Sequence, residues 1–123
     1  MPQVFMILDP SVWLIISEEK LEDLNQSLIR VTERVFGLEG KKDGACTVVK
    51  AETTINEAQI QVEVRYTAGE DEYHTGTPFD PPKKVQEQLA DELISEVRHQ
   101  FEKKFTVSAW IKPHYGSVFK PGA

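Results

Sequence analysis

The sequence is poor in cysteine. Cys46 stands alone in 123 residues, so no disulfide can form within the chain, and such usage fits a reducing compartment. A buried structural thiol is the expected role for it, ahead of a nucleophile. Basic charge is also short: 14 Lys and Arg against 20 Asp and Glu leave a formal net charge of −6. Phosphate backbones need a basic face, and an anionic membrane surface needs a basic amphipathic one. Neither nucleic acid nor a membrane is therefore an expected partner. His74, His99 and His114 lack metal-ligand spacing, and no serine–histidine–acid order or phosphate loop occurs. No metal and no cofactor are expected. Long apolar runs are missing too. The most apolar stretch, 4–16, is cut by Asp9-Pro10, follows no Lys or Arg and leads to no small-residue cleavage site. It falls short of the roughly 18 residues of a membrane span, so a cytoplasmic location is the expectation.

What is present is a small set of well-marked elements. Met1-Pro2-Gln3-Val4-Phe5-Met6-Ile7-Leu8 opens with proline and runs at once into apolar residues, the pattern of a strand buried on both faces. Asp9-Pro10-Ser11 reads as a turn, and Val12 to Ile16 as a short strand or an apolar loop over the core. Ser17 occupies a helix N-cap, with Glu18 and Glu19 in the first turn. Leu21, Leu24, Leu28, Val31 and Val35 follow at helical spacing until Gly37, where a left-handed C-cap is expected. That predicts a helix over 18–36. A second strand is expected over 45–53. Gln59 to Tyr66 alternates strictly, with Ile60, Val62, Val64 and Tyr66 opposite Gln59, Gln61, Glu63 and Arg65.

The stretch 67–80 is the longest irregular one. Asp80-Pro81-Pro82 opens a second helix with Val85, Leu89, Leu93, Val97 and Phe101 as its buried stripe and Lys103-Lys104 at its C-terminus. Phe105 to Lys112 alternates again, and the tail from Pro113 should be irregular, with a short strand near Val118-Phe119. The order is β-α-β followed by β-α-β. Right-handed crossovers then give an α+β fold, a four-stranded sheet with both helices on one face, in a single domain over 1–123.

Helices on one face leave the other bare. Gln61, Glu63, Arg65, Ser108, Trp110 and Lys112 should lie there beside apolar residues of the first strand. An apolar patch of that extent marks an interface, and closed self-association around an axis is the usual way to cover it. A homotrimer is expected.

Pro2 directly before a strand, the β-α-β doublet, the chain length and the closing segment from Val107 to Lys120 together resemble the tautomerase superfamily. That resemblance implies a trimer of small subunits that lose the initiator methionine and use the proline amine as general base or acid. An α-amino group titrates at roughly 7.7–8.0, and burial or a nearby cation lowers that value, leaving a base poised for proton transfer near neutral pH. With Pro2 catalytic, Arg65 is the leading anchor for a substrate carboxylate. Its alternative is an ion pair with Glu63. Lys112, Ser108 and Trp110 fall on the same face as further substrate-binding candidates, Trp110 equally as packing; Lys42 and Lys50 read rather as surface charge. The expected activity is isomerisation of a small enolisable carboxylate. The competing reading is a non-catalytic ferredoxin-like protein that oligomerises or binds a partner through the acidic loop Glu70–Glu72.

Overall fold

The computed structural model describes residues 2–39, 45–54, 58–69 and 76–115. Strand β1, Gln3–Leu8, buries Val4, Met6 and Leu8 while Phe5 and Ile7 are half-buried and Gln3 is exposed. The strand is therefore buried on one face, not on both. The sheet carries helices on one side, so alternate residues of the apolar run look to the uncovered side. The remaining elements are α1, Pro10–Trp13; α2, Glu18–Phe36; β2, Ala45–Lys50; β3, Ile60–Ala68; α3, Lys83–Gln100; and β4, Val107–Tyr115. The sheet order is β2-β1-β3-β4. Strand β1 runs parallel to β2 and antiparallel to β3, and β3 runs parallel to β4. This is the expected α+β pair of β-α-β units.

Helix α2 has the bounds its sequence signals predict. Ser17 Oγ accepts from the Lys20 N–H at 3.1 Å, one of the N–H groups a helix start leaves without a partner. Gly37 ends the helix in the left-handed region at φ 70°, with its N–H and that of Leu38 returning to the Arg34 and Glu33 carbonyls. Helix α3 buries Leu89, Leu93 and Val97, and it lies beside α2 over the sheet. Val4, Met6 and Leu8 of β1 meet Ile60, Val62 and Val64 of β3 and the leucines of both helices in one continuous core.

Three local expectations need correction. The segment after Asp9 is neither strand nor loop but a short helix, because Asp9 caps it: Asp9 Oδ2 accepts from the Ser11 N–H at 2.9 Å, and Pro10 takes the first helical position. Trp13 then donates from Nε1 to the Ala51 carbonyl at 2.9 Å, and Leu14 and Ile15 are left 68% and 74% exposed. Strand β2 stops at Lys50, short of the expected end at Thr53, and β3 continues to Ala68, into the start of the stretch read as irregular. Strand β4 carries on through Pro113 to Tyr115, which an edge strand permits because one side needs no ladder N–H. The strand expected near Val118-Phe119 and the acidic loop at Glu70–Glu72 lie outside the described residues.

Leu93 is fully buried and Leu14 is not. Urea unfolding should therefore show Leu93→Ala losing about 2–5 kcal/mol, and Leu14→Ala staying within about 0.5 kcal/mol of the parent.

Candidate functional site

The uncovered face is fixed by register. Phe5 pairs with Glu63 and Glu63 with Trp110; Gln3 pairs with Arg65 and Arg65 with Lys112; Ile7 pairs with Gln61 and Gln61 with Ser108. Residues directly opposite share a face. Arg65, Lys112, Trp110 and Ser108 thus stand on one surface, as the alternation predicts.

At its centre is a residue the sequence offered only as a partner for Arg65. Glu63 is 5% exposed, although its place in the alternation reads as polar and solvated. Arg65 donates to Glu63 Oε2 at 2.8 Å and Lys112 donates to Oε1 at 2.9 Å. Each cation also rests on an aromatic ring. Arg65 Cζ lies 4.7 Å from the centroid of Phe5, and Lys112 Nζ lies 5.8 Å from that of Trp110. Burial works to raise the Glu63 pKa, but the hydrogen bonds and charges of Lys112 and Arg65 outweigh it and hold the carboxyl below its ordinary value. Two cations and one anion leave the cluster one positive charge in surplus. The guanidinium has five N–H donors and the ammonium three, so both retain capacity for a second carboxylate.

Ser108 Oγ is shielded from solvent on the same face and has no hydrogen-bond partner among the described residues. Trp110 is 45% exposed on the edge strand. Pro2 is buried. It precedes Gln3, the cross-strand partner of Arg65, but the alternation that buries Val4 puts its ring on the helix-covered side. Within one chain, therefore, the anchor candidates come together with one another and Pro2 lies at the head of the adjoining strand, across the sheet. Tyr66 is buried among Phe36 and Phe79, with ring centroids 5.2 to 5.5 Å apart.

The remaining candidates sit elsewhere. Lys50 lies 3.9 Å from a Glu18 carboxylate oxygen and 5.8 Å from the Trp13 centroid. Lys42 and His74 are outside the described residues, and His99 and His114 are exposed. Burial, helped by the charge of Glu22, pushes the Cys46 thiol up to about 12, so it carries almost no thiolate at neutral pH. Among the described residues no group of three or more His, Cys, Asp or Glu side chains has a metal-holding arrangement. Among the described residues no helix is long and apolar enough to cross a membrane.

No family model matches the sequence, and no curated protein matches it. Solved structures do match. A macrophage migration inhibitory factor-like protein from Entamoeba histolytica is 13% identical, with 98% of this chain and 95% of that one aligned at a TM-score of 0.60. A 5-carboxymethyl-2-hydroxymuconate delta-isomerase is 10% identical, covering 100% of this chain and 87% of the other at 0.59. A protein crystallised after inactivation by 2-oxo-3-pentynoate is 10% identical, with 93% and 85% covered, also at 0.59. At these identities the likeness is one of fold: the chain shares the α+β fold of these structures over nearly its whole length.

The depressed Glu63 value has a definite sign. The contribution of a lowered carboxyl is complete above the ordinary value of 4.5 and is lost as pH falls through the folded value. Glu63→Gln should therefore be less stable than the parent in urea at pH 7, and the gap should close as pH falls below 4.5. A gap of constant size across that range contradicts the ion-paired carboxylate.

Proposed function

We propose that the chain is a tautomerase-type isomerase acting on a small enolisable carboxylate. Removal of Met1 frees the Pro2 nitrogen as a secondary amine. That amine takes a proton from the carbon next to the substrate carbonyl and, once protonated, returns it at the other end of the enol system. The guanidinium of Arg65 holds the substrate carboxylate, Lys112 adds a second donor, Trp110 forms an apolar wall, and the Ser108 hydroxyl supplies a polar contact.

The observation that carries this reading is the cationic surplus on the bare face of a tautomerase fold, one residue along β1 from the proline. It favours catalysis over the non-catalytic alternative, since a purely associating face gains nothing from cations held ready beside the chain's head. The working unit is a homotrimer of single 1–123 domains in the cytoplasm. The bare face then turns inward, and Pro2 meets the cation pair in a cleft between subunits, which answers their placement on opposite sides of one sheet.

The structural neighbour inactivated by 2-oxo-3-pentynoate suggests a direct probe. In a conjugated alkynone, an amine adds across the triple bond with no leaving group, so the adduct carries the whole mass of the reagent. Mass spectrometry should find one such adduct on the N-terminal proline. With a phenylpyruvate-type acid, Pro2→Ala should lower kcat about a hundredfold, and Arg65→Gln should act mainly on KM. Turnover that survives Pro2→Ala, or an adduct confined to other residues, contradicts the proline mechanism.

A further inference from the structure

The other end of β1 carries a second feature that the proposed chemistry does not use. Six residues of strand, at about 3.3 Å each, put it on the order of 20 Å from Pro2. Here the start of α2 and the end of α3 enclose an open hollow of about 380 Å³, within the size range of small-molecule sites. Ile15 and Ile16 form one wall. Phe101 and Phe105, packed edge to face with centroids 5.3 Å apart, form the floor. Lys20 and Lys104 stand at the rim, and Lys20 Nζ lies 5.4 Å from the Phe101 centroid.

Two facts set this hollow apart. The first is exposed apolar surface, for Ile15 at 74% is the most exposed of the large hydrophobic side chains among the described residues. The second is unneutralised charge. The chain carries a net −6, yet among the described residues neither Lys20 nor Lys104 has an ion-pair partner. Lys104 owes its position to a turn in which Glu102 and Lys103 adopt φ values of 52° and 63°. The Lys103 and Lys104 N–H groups donate back to the Arg98 and Phe101 carbonyls at 2.9 and 3.0 Å. Favourable interaction with the carboxyl end of α3 accounts for basic residues after that helix. It does not account for Lys20, which belongs to the opposite end of another helix.

We propose that this hollow is a second binding site, for a small anion with an apolar body such as an aryl-substituted carboxylate. The ring would lie on Phe101 and Phe105 against Ile15 and Ile16, and the carboxylate would bridge Lys20 and Lys104. The site is independent of the Pro2 chemistry and stands or falls separately from it.

The test is a titration of the full chain with 4-phenylbutyrate, followed by amide NMR. Saturable shifts are expected at Ile15, Ile16, Lys20, Phe101 and Lys104, and they should persist in Arg65→Gln, which removes only what belongs to the other face. The neutral amide of the same acid, and separately the Lys20→Gln/Lys104→Gln double variant, should each bind about tenfold more weakly, the scale of two exposed charge contacts. The double variant should keep the parent's melting temperature and its Pro2-dependent turnover. Shifts confined to the Pro2 end, equal affinity for acid and amide, or undiminished binding in the double variant would each overturn the proposal.

Discussion

A carboxylate held almost out of water is the constraint on which the uncovered side of this sheet depends. Glu63 cannot stay charged at 5% exposure without compensation, and Arg65 and Lys112 supply it together from the neighbouring row of the sheet. The arrangement is a product of register. Antiparallel pairing sets Phe5 beside Glu63, and parallel pairing of β3 with β4 sets Lys112 beside Arg65. A slip of one residue between β3 and β4 would turn Lys112 to the helix side and leave Glu63 with Arg65 as its one cation.

The same one-sidedness governs the rest of the molecule. Two helices cover Val4, Met6, Leu8 and their neighbours across the sheet, while Phe5, Ile7, Trp110 and Val49 fall to the bare side with 42% of Val49 and 45% of Trp110 in solvent. Charged and aromatic groups are interleaved there: two cations cover two rings and share one acid. Such a surface sheds apolar area while keeping the cationic capacity of Arg65 and Lys112. The proposed catalytic chemistry draws on that capacity. The hollow at the far end of the sheet has a different origin, in a short linker between α1 and α2 that leaves Leu14 and Ile15 outside the core while Ile16 packs against it.

Much of this was legible in the residues because the signals are local. Ser17, the leucine spacing and Gly37 specify α2 to the residue, and strict alternation around Val62 and Val64 specifies which side of β3 is covered. The short helix α1 was not legible, since Asp9-Pro10-Ser11 serves equally as a turn and as a capped helix start. The apolar run that follows fits strand, loop and helix alike. The bare face was legible as a set of residues, and the ion pair between Glu63 and Arg65 as one alternative. The burial of Glu63 was not. It depends on Lys112, 49 positions further along the chain, and on two rings that only the assembled sheet brings over it. The position of Pro2 relative to the anchors was equally hidden, for strand alternation separates their sides while register brings their strands together.

The account's functional claim rests on one nitrogen at the head of β1. Its most direct measurement is a pH titration of the purified full chain labelled with 15N-proline, following the Pro2 resonance. A free secondary amine that titrates below the ordinary range of about 7.7–8.0, as its burial and the cations of the proposed inter-subunit cleft would require, is the predicted result. A Pro2 nitrogen that does not titrate, because it remains acylated by Met1, or one that titrates at the value of an amine in open water, would contradict it.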